Sequence, residues 1–173
     1  MSKIKKTSTK NIGQEKILTP RLPSSVGLCF SFKDFKKQSV KTSSFNNHFQ
    51  DEKECFSVIT KSLEKIKHIS GFPNFVELKS DKGMHCHVIS NDYKDSVISI
   101  LKKYGFPKGK IEELFEGKIY QVKIADGSPE SRLIFYLIGG YILMPLFVDT
   151  NHQLYKSQYR GYDNNLPSKS YSL

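Results

Sequence analysis

The chain has 173 residues, with 27 Lys and Arg against 17 Asp and Glu, a net charge of +10 and a pI near 9.4. That length suits one compact domain with spare chain, and no apolar run approaches the roughly 18 to 20 residues that a membrane span needs. The basic Met1–Lys10 stretch is not followed by an apolar one, so no secretory signal is expected, and the widely spaced Cys29, Cys55 and Cys86 suit reduced thiols in a cytoplasmic protein rather than a disulfide scaffold.

The charge is concentrated at the ends. Residues 1–24 carry six basic side chains against one acidic, a net of +5, and residues 156–173 carry three against one, a net of +2. Between them, residues 25–155 hold 18 basic and 15 acidic side chains. Basic ends suit a polyanionic partner such as RNA, because contacts to phosphate release counterions. They also serve solubility alone. Residues 1–24, with Pro20 and Pro23 and no periodicity, read as a flexible arm. Residues 25–155 read as a single α+β domain, and 156–173 as a basic polar tail.

In chain order, residues 26–35 alternate, with Leu28, Phe30 and Phe32 on one face, which predicts a strand. The Ser/Thr/Asn/Lys-rich stretch 36–50 predicts a loop. Phe56, Ile59, Leu63 and Ile66 then form an apolar helical stripe. Asp51, Glu52 and Glu54 lie at its start and Lys65, Lys67 and His68 at its end, complementing the helix dipole. Gly71 and Pro73 stop this helix. Phe75–Leu78 suits either a short helical continuation or an extended piece. Met84–Ile89 predicts a strand, and Asn91 or Asp92 a cap for a second helix bearing Val97, Ile100, Leu101 and Tyr104. Gly105 ends that helix, and one more short helical turn fits 110–117.

The last third predicts an antiparallel β-meander. Ile119–Ile124 is a strand, Ala125–Glu130 a turn-rich loop, and Arg132–Ile138 a long apolar strand expected at the centre. Gly139-Gly140 suits a two-residue hairpin pairing Ile138 with Tyr141. Tyr141–Val148 returns, and Pro145 lacks an N–H, so this strand is expected to be an edge or to carry a bulge. The expected fold is therefore α+β, with helices packed on a small antiparallel meander behind an N-terminal arm.

Phosphate-loop, dinucleotide, dithiol and hydrolase-elbow motifs are all missing, and no cofactor is implied. On a strand, His85 and His87 would share a face and could chelate a metal with a third ligand such as His152, but alternating histidines also line half-exposed strands, and no metal is expected. The richer constellation is at the meander. Counting back from the hairpin sets Arg132 opposite Phe147, or nearer Val148 or Asp149 if Pro145 marks a bulge. Arg132 then lies within reach of Asp149 and His152, with Tyr155, Tyr159 and Arg160 following. An Arg, a His and a Tyr at one spot suit metal-free RNA cleavage. The Arg would stabilise phosphorane charge, and the His or Tyr would move protons at the 2′-hydroxyl and the leaving oxygen. An Arg132–Asp149 ion pair that only pins the sheet would leave the same trace.

A helical segment, a strand, Ser131-Arg-Leu-Ile-Phe-Tyr-Leu137, a tight turn, a strand and His152-x-x-Tyr155 together resemble the RelE/ParE toxin superfamily. A closer likeness is to an uncharacterised bacterial, mobile-element set with an Asp-x-Asn-His-x-x-Tyr motif, matched by Phe30-Ser-Phe32, Leu63–Ser70, Arg132 and Asp149-Thr-Asn-His152-Gln-Leu-Tyr155. The resemblance implies an endoribonuclease toxin, ribosome-associated or free, acting on mRNA and held in check by a cognate antitoxin protein. Arg132 would take the transition-state role and His152 and Tyr155 the acid/base roles. Lys123, Asp149, Tyr159 and Arg160 would bind substrate. The chain departs from that group in its long arm, in its helix over 92–104, and in Gln153, where a basic residue often follows the histidine. ParE-like members keep the fold and act by binding a protein.

Overall fold

The computed structural model describes residues 27–125, 131–150 and 152–154. The expected arm and tail, and with them Tyr155, Tyr159 and Arg160, lie outside the described residues. In chain order come β1 (Cys29–Phe30), α1 (Glu52–Ser70), α2 (Phe75–Ser80), β2 (His87–Val88), α3 (Lys94–Lys103), α4 (Lys108–Glu116), β3 (Ile119–Ala125), β4 (Ser131–Ile138) and β5 (Ile142–Asp149). The strands form one five-stranded sheet in the order β1-β5-β4-β3-β2. The α+β class is as expected. The sheet is larger than a meander and mixed, because β1 pairs parallel with β5 and β2 pairs antiparallel with β3.

β4 sits at the centre, and its alternation sorts the core onto two faces. Ile134 packs with Ile119, Phe147, and the apolar faces of α3 and α4, including Val97, Ile100, Leu101, Ile111 and Leu114. Leu133 and Phe135 pack on the other face with Val122, Ile124, Ile69 of α1 and Leu78 of α2. Helices therefore cover both faces.

Several local expectations change. The 26–35 strand shrinks to two residues. In a parallel ladder the next β5 donor after residue 143 would be residue 145, and Pro145 has no N–H. The 36–50 loop carries core: Phe45 and Phe49 are fully buried, and Phe45 meets Phe147 edge to face. α1 begins on Asp51, whose carboxylate accepts the Glu54 N–H at 2.8 Å. Its buried residues are Cys55, Val58 and Ile69, while Phe56 and Leu63 are 72% and 62% exposed. The stripe read from sequence is thus only partly offset from the buried line: Ile59 and Ile66 are half-buried, and Ile59, Leu63 and Ile66 line an apolar pocket with Ile124, Leu133 and Val148 of the sheet. Phe75–Ser80 is helical, capped by Asn74. Ser90, rather than Asn91 or Asp92, caps the short 3₁₀ turn that leads into α3. Residues Lys108–Glu116 make a full helix rather than one turn.

The hairpin also differs by one residue. Gly139 and Gly140 both have positive φ (61° and 81°), as a tight turn requires, but Ile138 pairs with Ile142, so Tyr141 belongs to the loop. No helix among the described residues is long and apolar enough to cross a membrane. Cys29, Cys55 and Cys86 are free thiols, and burial pushes the Cys86 thiol up to about 12, away from thiolate chemistry.

Candidate functional site

The site is built by a register shift. From the hairpin, β4 and β5 pair regularly as far as Phe135 with Pro145. The next pair is Ile134 with Phe147, so Leu146 has no partner across the ladder. Without that extra residue Arg132 would face Val148. With it, Arg132 faces Asp149. Pro145 explains the position, since a residue without an N–H sits well where the ladder is interrupted. On the other side Arg132 faces Lys123 of β3. A row Lys123–Arg132–Asp149 thus crosses three adjacent strands on the face that α3 and α4 cover. The neighbouring row on the same face runs from His87 to Gln121, Ile134 and Phe147.

The middle of the row is closed. Arg132 is 4% exposed and Asp149 0%. The two Asp149 carboxylate oxygens accept the Gln153 N–H at 2.9 Å and the Leu154 N–H at 3.0 Å. Asp149 therefore fixes the turn after β5, in which His152 takes a left-handed φ of 51° and is half-buried. Ser131 Oγ donates to the Thr150 carbonyl at 3.1 Å, and Gln153 Oε1 accepts the Asn46 N–H at 2.5 Å. Asn47 Nδ2 donates to the Val148 carbonyl and to the Tyr104 hydroxyl, both at 2.9 Å, while its Oδ1 accepts the Val40 N–H at 2.7 Å. Burial pushes the Tyr104 hydroxyl above its ordinary range, and the Asp149 charge adds to that effect.

The β2–β3 side of these two rows is more open. Lys123 is half-buried and His87 is exposed on β2. Gln121 of β3 and the His87 ring are hydrogen-bonded to each other through Gln121 Nε2 and His87 Nε2. Partial desolvation lowers the His87 pKa, and the Arg132 charge lowers it further, against a hydrogen bond with the His85 backbone. His85 itself has a φ of 44° and closes a 3₁₀ turn instead of continuing a strand, so the paired-histidine premise for a metal chelate does not hold. Among the described residues no group of three or more His, Cys, Asp or Glu side chains gathers as a metal-binding set.

Of the residues singled out in the sequence, the fold brings Lys123, Arg132 and Asp149 into one row and sets His152 in the turn that Asp149 holds. Tyr155, Tyr159 and Arg160 lie outside the described residues. Sequence reasoning missed His87 as a neighbour of the row, and Gln121 as its partner. The β2–β3 pairing that unites them spans two residues and leaves no periodic signal.

The described domain is thus an α+β unit whose central strand carries a buried Arg–Asp register pair between an exposed His and the turn after β5. A family model with the description "Uncharacterised protein UU032" matches residues 31–173, and the chain belongs to that family. No curated protein and no solved structure matches it.

Proposed function

We propose that the chain is a toxin-like protein of a toxin–antitoxin or mobile-element system, a metal-independent endoribonuclease acting on mRNA in the cytoplasm. The carrying observation is the exposed His87, which the β2–β3 register sets in the row next to Lys123 and Arg132 and whose pKa is lowered by partial desolvation and by the Arg132 charge. An imidazole whose pKa is lowered by partial desolvation and by a nearby cation favours the neutral form that can accept a proton at neutral pH. In this reading His87 Nε2 takes the proton of an RNA 2′-hydroxyl, displacing the Gln121 amide. The 2′-oxygen attacks the adjacent phosphorus, and the 5′-oxygen leaves with a proton from His152 or Tyr155. The products are a 2′,3′-cyclic phosphate and a 5′-hydroxyl. Lys123 meets the phosphate, and the buried Arg132 contributes its field to the developing charge. Tyr159 and Arg160 are further substrate contacts in this reading, while Asp149 positions the turn. The resemblance to RelE/ParE toxins supports the same reading and supplies a cognate antitoxin as partner.

A second reading is favoured by the closure of the row. Both Asp149 oxygens serve backbone amides, and Arg132 is nearly inaccessible. A non-catalytic binding or regulatory protein would need only that. The readings separate on induction in bacteria. Growth arrest with mRNA cleavage, abolished by His87→Ala and by His152→Ala at an unchanged melting temperature, supports the nuclease. Toxicity that survives both substitutions removes the assigned site, and a stoichiometric protein partner with no RNA cleavage supports the second reading.

A further inference from the structure

At the hairpin end of the sheet a cleft of about 740 Å³ opens between the 31–36 segment, the start of α4 and the ends of β4 and β5. Small-ligand sites span roughly 300 to 1,000 Å³, whereas packed interiors leave few voids larger than a water molecule. Its floor is apolar, formed by Phe106, Ile138, Ile142 and Met144. Its wall is a compact polar network. The Tyr136 hydroxyl donates to Asp34 Oδ2 at 2.6 Å. The same oxygen lies 3.5 Å from Lys110 Nζ, which also donates to Glu113 Oε1 at 3.1 Å.

This network answers both carboxylates of the cleft with one ammonium and one phenol. Lys33 and Lys36 remain. Both line the cleft, and neither forms an ion pair with a carboxylate among the described residues. Lys36 Nζ instead lies 4.8 Å from the centre of the Phe106 ring. Tethering the 31–36 segment to β4 accounts for Asp34, Tyr136 and Lys110. It does not account for two further lysines facing an apolar floor.

We propose that this cleft binds a phosphate monoester carried on a flat aromatic body, as in a mononucleotide. Lys33 and Lys36 take the phosphate dianion as two point charges. Ile138 and Ile142 take the aromatic body on the apolar floor, while the buried Phe106 ring holds Lys36 at the cleft. Asp34 Oδ1, on the side away from Tyr136, accepts a sugar hydroxyl. Tyr136 lies four residues along β4 from Arg132, about 13 Å at strand rise, so the site stands apart from the Arg132 row and does not rest on the nuclease reading.

The test is an NMR titration of the isotope-labelled full chain at low salt with AMP and UMP, with adenosine and inorganic phosphate as separate arms. Saturable shifts at Lys36, Gly105, Lys110 and Ile138 with the mononucleotides are expected, with weaker effects from either half alone. The double substitution Lys33→Gln with Lys36→Gln is expected to weaken binding by about tenfold or more, through loss of two phosphate contacts, at an unchanged melting temperature. Asp34→Asn keeps the hydrogen-bond geometry and separates loss of the sugar contact from loss of fold. Absence of saturable shifts at these residues, equal response to phosphate alone, or indifference to the double substitution overturns the proposal. Shifts confined to residues 119–125 and 131–134 overturn it too, while leaving the reading of the Arg132 row intact.

Discussion

The two ends of β4 hold polar clusters on the same face, and they are built in opposite ways. At Arg132 the charge is shut in: Asp149 is spent on backbone amides, and Asn46 and Asn47 close the turn from outside. At Tyr136 the charge is left open on a cleft, and its hydrogen bonds run between side chains. A buried charge tied to backbone becomes part of the fold, because removing its partner strands it in a poor solvent. An open cluster can change partners at little cost in stability, which is what a ligand site needs. Under the proposed reading, the contrast explains why a deeply buried arginine need not itself touch substrate, and why the exposed His87 and the half-buried Lys123 are the better candidates for doing so.

The largest effect that would break this comparison is at Asp149. Asp149→Ala is expected to cost about 2 to 6 kcal/mol, since it leaves the buried Gln153 and Leu154 N–H groups unsatisfied. Urea unfolding at neutral pH reads this directly, and a loss below about 1 kcal/mol would mean that the row is not tied to the fold. Asn47→Ala is next, at about 2 to 3 kcal/mol for three lost hydrogen bonds in a largely buried setting. The amides of residues 40–47 should lose hydrogen-exchange protection first. Tyr136→Phe at the open end is expected to cost only about 1 kcal/mol. A cost equal to that at Asn47 would erase the distinction between the two ends.

The smallest effect is a pH slope. The folded His87 pKa lies below its ordinary 6.5, so the unfolded chain binds the proton more tightly. Stability should fall as pH drops below 6.5 toward the folded value, and this contribution should be flat above it. His87→Gln is expected to remove that part of the acid-side slope in melting temperature. A slope unchanged by the substitution would mean that neither desolvation nor the Arg132 charge perturbs the ring.

What the sequence discloses divides along the same physical lines. The meander was legible because long alternation, paired glycines and Pro145 each restrict the backbone by themselves. They led to the bulge and to Arg132 near Asp149. The bounds of α1 were legible from Asp51 and Gly71, and its rotation only in part: Ile59, Leu63 and Ile66 line a pocket against the sheet, while Phe56 is 72% exposed. The buried line through Cys55, Val58 and Ile69 is interrupted by Ser62, so the more apolar stripe beside it reads as the centre of the buried face. That hydroxyl is harmless there because it donates to the Val58 carbonyl at 2.6 Å. Residues 36–50 look like loop because their composition is polar. Their burial depends on Asn46 and Asn47 finding partners about a hundred residues away, which no local pattern encodes. β1 and β2, at two residues each, are set by their neighbours rather than by their own propensity.

The unpaired Leu146 carries one more consequence. It makes β5 two rulers laid end to end, each counting from its own origin. The segment up to Pro145 takes its phase from Gly139-Gly140, and the segment from Phe147 takes its phase from the turn that Asp149 holds. Lengthening or shortening the hairpin should reshape the cleft while the joint at Leu146 absorbs the mismatch, and Arg132 keeps its partner. Each end of the central strand can in this way be retuned without disturbing the other.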